Sequence, residues 1–182
     1  MAGEKRRTSY RVALGGIVAA LCVAMMFLTG VLPALYIAAP MAAGMLMIIL
    51  AEEVSEGWAW LTFLSVSLLA LMITFDKEAA LMFILFFGYY PILRPRTERI
   101  PGRALRWVLR ICLFNVFLVL DYWLTVYVLG LPTFEDTAPL MYAVLIGAAN
   151  IMFVFYDLVL SRLRWFYRNV FVPRILGRGK HG

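Results

Sequence analysis

The chain has 182 residues, 64% of them hydrophobic and only 15% charged, with a formal net charge of +6. A soluble domain is about half apolar and about a quarter charged, so this chain lacks the polar residues to cover a water-exposed surface. That excludes an ordinary soluble domain and predicts an all-α integral membrane protein, in which helices satisfy their own backbone groups inside the bilayer.

In chain order, Lys5-Arg6-Arg7 precede an apolar run, a pattern shared with signal peptides. The run continues past the length of such a segment and is read as a retained first helix. No charged residue occurs from Val12 to Leu50, which leaves room for two spans of about 20 residues each. Gly30 and Pro33 mark the break between them. The first span is placed at 11–29 and the second at 34–51, with Pro40 expected to kink or locally open the second. Glu52, Glu53 and Glu56 form an acidic connection to a third span at 57–75. Asp76-Lys77-Glu78 is a tight polar turn before a short fourth span at 79–93, which ends near Tyr89-Tyr90-Pro91. A basic loop from Arg94 to Arg103 leads to a fifth span at 105–129. A loop with Gly130, Pro132, Glu135, Asp136 and Pro139 precedes a sixth span at 140–160, and a basic, aromatic tail covers 161–182. These elements use nearly the whole chain, so one membrane domain over 1–182 is expected.

Orientation follows from the rule that loops rich in Lys and Arg stay cytoplasmic. With six spans, all 17 Lys and Arg residues except Lys77 fall on the side shared by the N-terminus, the second loop, the fourth loop and the tail. The expected architecture is therefore a six-transmembrane-helix bundle with the N-terminus and C-terminus cytoplasmic.

Some residues stand out against this background. Gly16, Ala20 and Ala24 recur every four residues on the first helix, a spacing that lets another helix approach closely, either within the bundle or on a separate membrane subunit. Polar groups inside a bilayer are costly and are paired or functional. Asn115 and Asn150 lie at similar depth on the fifth and sixth helices, where they suit a hydrogen bond to each other or contact with a ligand. Asp157 is close in sequence to Arg162 and Arg164, which suits a local ion pair. Asp121 stands in the outer half of the fifth helix beside Tyr122, Trp123 and Tyr127, a setting for a cationic or hydrogen-bonding ligand, although Trp and Tyr also mark membrane interfaces. The three glutamates after the second span either meet the basic loop or form a solvated turn. The segment Arg164–Phe171 mixes aromatic and basic residues in a way that suits an anionic lipid surface. Nucleic-acid binding is not expected, because orientation already accounts for the charge.

No enzyme signature is present. His181 is the only histidine, Cys22 and Cys112 show no ligand spacing, and no glycine-rich phosphate loop occurs. The chain is read as no enzyme, with no metal and no cofactor.

The segment Ala13-Leu14-Gly15-Gly16-Ile17-Val18-Ala19-Ala20-Leu21, the Ala20-x-x-x-Ala24 spacing and Phe87-Gly88-Tyr89-Tyr90-Pro91-Ile92-Leu93-Arg94 carry a resemblance. With size, span number and inward basic loops, they resemble the substrate-binding (S) components of energy-coupling-factor (ECF) transporters, in an uncharacterised bacterial subgroup. The resemblance covers nearly all of the chain. It implies a multi-pass protein of the bacterial inner (plasma) membrane that captures a vitamin or small metabolite outside. Such a subunit works with a membrane coupling subunit and ATPase subunits, and Gly16, Ala20 and Ala24 would face the coupling subunit. The implied substrate-binding residues are Tyr36, Asp121, Tyr122, Tyr127 and Tyr142. Two other readings stay open: a structural or scaffolding membrane subunit of an envelope complex with no small-molecule ligand, and a membrane enzyme acting on lipid.

Overall fold

In the computed structural model, which describes residues 2–130 and 139–171, every regular element is helical and no strand occurs among the described residues. The order is α1 (Ala2–Thr29), a single 3-10 turn (Pro33–Leu35), α2 (Ala38–Glu53), α3 (Glu56–Ile73), α4 (Lys77–Met82), a π turn (Phe83–Phe87), α5 (Tyr90–Glu98), α6 (Arg103–Tyr127) and α7 (Pro139–Phe166), which runs into a second π turn (Tyr167–Phe171). Four stretches are long and apolar enough to cross a membrane: Thr8–Thr29, Glu56–Ile73, Arg103–Tyr127 and Leu140–Asn169.

α3 explains why these helices suit lipid. Leu61, Leu64, Leu68 and Met72 form one exposed face, whereas Ala59, Thr62, Ser67 and Ala70 are buried opposite. Phe63 and Val66 share the buried side, and the outside of this helix is itself apolar, unlike that of a helix in water. In lipid the apolar face needs no cover, and small or hydroxyl-bearing residues pack against neighbouring helices.

The chain divides into two compact units, 1–133 and 134–182. The core of the first is built from Val18, Cys22 and Met26 of α1, Ala43, Met47 and Leu50 of α2, and Ala59, Phe63, Val66 and Ala70 of α3. Ala79, Ala80, Phe83 and Ile92 of the α4–α5 segment complete it. Small side chains bring α1 close to α2, where the Cys22 thiol lies 3.4 Å from the Ala43 carbonyl oxygen. The second unit consists of α7 and its π turn among the described residues. Its buried residues Phe153, Tyr156, Asp157 and Leu160 have the spacing of a single helical face.

Several boundaries differ from the sequence expectation. α2 starts at Ala38, so Pro40 sits in its first turn, where a missing backbone N–H costs nothing; the regular helix is opened ahead of Pro40 instead of running from 34. At 16 residues, α2 is about 24 Å long at 1.5 Å per residue. The stretch expected as one short span at 79–93 is interrupted. α4 gives way to the π turn, closed by the Gly88 amide on the Phe83 carbonyl at 2.7 Å, and α5 starts again at Tyr90 with Pro91 in its first turn. Gly88 explains the break: a Cβ there would lie 2.6 Å from Phe63 and 2.9 Å from Phe83, so no larger residue fits this approach. The segment is buried at Phe83, Phe86, Phe87, Tyr90, Pro91 and Ile92, which is where irregular backbone is tolerated at membrane depth. Residues 94–98, expected in a loop, are helical, joined by the Arg94–Glu98 ion pair at (i, i+4) and by Thr97 Oγ1 donating to the Arg94 carbonyl at 2.8 Å. The tail expected from 161 is helical through 171, and no Gly or Pro occurs before Pro173 to stop it. Residues 172–182 lie outside the described residues.

Candidate functional site

The first unit has two polar ends. At the basic end, the start of α3, the end of α5 and the start of α6 meet. Glu56 Oε1 accepts from Arg96 Nη2 at 2.6 Å and from Trp60 Nε1 at 3.4 Å. Arg94, 6% exposed, pairs with Glu98 at 2.5 Å. Arg110, equally buried, donates from Nε to Thr97 Oγ1 at 3.1 Å, and its guanidinium lies 6.0 Å from the Trp107 ring centre. Arg106 reaches the Glu98 carbonyl at 3.2 Å. Of the two readings of the acidic connection, Glu56 makes the contact to the basic loop, through Arg96.

At the opposite end the turn before α2, the α3–α4 connection and the second half of α6 converge. Tyr36 follows the Pro33–Leu35 turn and is half-buried. Its hydroxyl lies in the field of the Glu78, Asp121 and Asp76 carboxylates. Asp121 is close enough to Glu78 for the two carboxylates to oppose each other's charge. Asp76 caps α4, accepting from the Ala79 amide at 3.1 Å. Lys77 does not neutralise this group. Its ammonium donates to the Leu71 and Thr74 carbonyls at 2.6 and 2.8 Å, and no ion pair to Asp76, Glu78 or Asp121 is made among the described residues.

The inward face of α6 carries the chemistry. Phe117, Asp121 and Thr125 recur every four residues and so share a face. Asp121 Oδ1 and Thr125 Oγ1 are buried and have no hydrogen-bond partner. The Tyr89 hydroxyl is likewise buried without a partner. The Tyr89 ring meets Phe117 edge-on at 5.4 Å, Phe63 edge-on at 6.1 Å, and stacks on Trp60 at 6.3 Å and 11°. Ser67 Oγ and Thr74 Oγ1 of the α3 region are also buried without a partner; since buried polar atoms are almost always hydrogen-bonded, Asp121 and Thr125, one turn apart on one face, make the pair suited to a polar guest or water. Among the described residues no group of His, Cys, Asp and Glu is arranged to hold a metal ion.

The residues expected from sequence are distributed unevenly. Tyr36 and Asp121 are brought together, with Glu78 between them in the network. Tyr122 and Tyr127 are on the outward side of α6, 45% and 72% exposed, where Tyr127 packs on Trp123 at 5.5 Å. Tyr142 is half-buried on α7, in the second unit. Gly16, Ala20 and Ala24 are exposed on α1, away from the buried line of Gly15, Val18, Cys22 and Met26. Asn115 and Asn150 each donate to a carbonyl of their own helix four residues back, Ile111 at 2.8 Å and Ile146 at 2.9 Å. Sequence reasoning missed Glu78, Tyr89 and Thr125. Thr125 was within reach from its four-residue spacing to Asp121. Glu78 was hidden in what reads as a solvated turn, and nothing in the sequence near Tyr89 marks it as a neighbour of α6.

Comparison of the chain with protein-family models, curated proteins and solved structures gives no match.

Proposed function

We propose that this protein is the substrate-capture subunit of an ATP-driven importer of a vitamin or small metabolite. In this reading it is an S component of the ECF type, acting with a membrane coupling subunit and ATPase subunits. It sits in the inner membrane with six crossings and both ends cytoplasmic: α2 and the interrupted α4–α5 segment cross beside the four long helices. The placement of every Lys and Arg except Lys77 on one side supports that orientation.

The observation that carries the reading is the set of buried, unpartnered polar atoms of Tyr89, Asp121 and Thr125 in the first unit. A scaffold has no use for such atoms, each of which costs about 1–3 kcal/mol when left unsatisfied. A carrier that must accept and release a polar guest needs them free when empty. The nearby interrupted helix fits the same role, since discontinuous helices build solute sites in many transporters. The exposed small-residue face of Gly16, Ala20 and Ala24 is suited to close approach by a coupling subunit.

The test is native mass spectrometry of the protein extracted from its own membrane, followed by equilibrium binding against a vitamin panel. A retained small molecule, or saturable binding weakened at least about tenfold (1.4 kcal/mol) by Asp121→Asn, is expected. No retained molecule together with no saturable binding across the panel overturns the reading.

A further inference from the structure

The two ends of the first unit are joined through one aromatic ring. Phe117 lies one helical turn before Asp121 on α6, and Trp60 one turn after Glu56 on α3. Tyr89 touches both: it meets Phe117 edge-on at 5.4 Å and stacks on Trp60 at 6.3 Å. The Trp60 indole N–H then donates to Glu56 Oε1 at 3.4 Å, the same oxygen that accepts from Arg96 at 2.6 Å. A displacement at Asp121 moves the face of α6 that carries Phe117, and from Phe117 a series of ring contacts and one shared acceptor lead to the opposite end.

The Tyr89 ring is the central member of this series. Its hydroxyl is held by no partner. Tyr89 lies between a π turn and α5, whose first turn it opens by accepting from the Ile92 and Leu93 amides at 3.0 Å. A Cβ at the neighbouring Gly88 would lie 2.6 Å from Phe63 and 2.9 Å from Phe83, so a side chain there would push on the rings packed around Tyr89. At the far end, Arg96 and Glu56 are 59% and 41% exposed, and an exposed pair of this kind is worth less than about 1 kcal/mol. A small change in how Trp60 competes for Glu56 Oε1 is enough to shift it.

We propose that Tyr89 and Trp60 couple the polar row at Asp121 to the Glu56–Arg96 pair, so that filling or neutralising Asp121 changes how that pair is held. The link to solute capture rests on the function proposed above. The coupling itself does not, and its test uses the charge at Asp121 rather than a solute.

The full chain, carrying 5-fluorotryptophan at its 5 tryptophans, is placed in lipid nanodiscs and followed by 19F NMR, with Trp60→Phe assigning the Trp60 resonance. Asp121→Asn and Arg96→Gln are each expected to move that resonance. In a Tyr89→Leu background the Asp121→Asn shift disappears while the Arg96→Gln shift remains. The proposal is overturned if Asp121→Asn leaves the Trp60 resonance in place with Tyr89 present, or if its shift survives Tyr89→Leu. The Trp58 and Trp165 resonances report the fold. Where Asp121→Asn disturbs them too, Asp121→Ser carries the same comparison. A shift that depends on Tyr89 in a protein that binds no solute from the panel retains the coupling and overturns only the capture reading.

Discussion

The two ends of the first unit handle polar groups in opposite ways. At the basic end the buried groups are used up: Arg94 has Glu98, Arg110 has Thr97, and Glu56 serves both Arg96 and Trp60. At the acidic end Asp121 Oδ1 and Thr125 Oγ1 are buried with nothing to bond, and the nearest cation, Lys77, is tied to backbone carbonyls. A buried charge with its partners rigidifies a fold, whereas a buried acceptor without one costs stability until something arrives to use it. The difference separates an end whose polar groups are mutually satisfied from an end that keeps unsatisfied acceptors. Substitutions at the two ends are therefore expected to act with opposite sign.

The largest effect is expected from Glu98→Ala. Arg94 is buried, and removing a partner from a buried ion pair costs about 3–5 kcal/mol when the remaining charge stays out of water. Glu98 is 39% exposed, so some of that is already screened, and a loss of about 2 kcal/mol is expected. It is read as a lower midpoint for unfolding in mixed micelles. Arg94→Leu, which leaves behind only the more exposed carboxylate, is expected to cost less. Equal losses for the two would remove the distinction between buried and exposed partners at this end.

Thr125→Val is expected to go the other way. It replaces an unpartnered buried hydroxyl with a methyl of nearly the same shape and should raise stability by about 1 kcal/mol. A loss of stability in the same unfolding assay would mean that the hydroxyl is satisfied in the membrane, and the contrast between the ends would narrow to Asp121 alone.

How much of this was legible in the sequence follows from what periodicity can carry. Composition and apolar runs located the helices, because a bilayer imposes length and hydropathy directly on the chain. Asp121 was legible because a carboxylate in an apolar run is conspicuous, and the Glu56–Arg96 contact because opposite charges flank neighbouring spans. Helical spacing also separates Tyr122 and Tyr127 from Asp121, since they fall on the exposed side of α6 while Asp121 and Thr125 turn inward. The interruption at Phe83–Tyr89 was not legible. It depends on how closely Phe63 of α3 approaches Gly88, a tertiary fact that no local pattern records. Glu78 was obscured for a similar reason. Asp76-Lys77-Glu78 looks like a solvated turn until Tyr36, some forty residues earlier, is seen to lie in the field of Glu78.

The smallest effect is expected at Arg96, and it sharpens the comparison from the other side. Arg96→Gln removes an exposed cation from an exposed carboxylate, an interaction worth about 0.2–1 kcal/mol and screened by salt. Glu56 keeps its bond from the Trp60 indole, so no buried charge is abandoned. The unfolding midpoint should therefore move by less than the error of most measurements in detergent, and that small difference should vanish as ionic strength is raised. A loss comparable to Glu98→Ala would make the Glu56–Arg96 pair part of the structural frame of the basic end. A near-silent result leaves it as the one contact there weak enough to respond to events at Asp121, which is the property that coupling between the two ends requires.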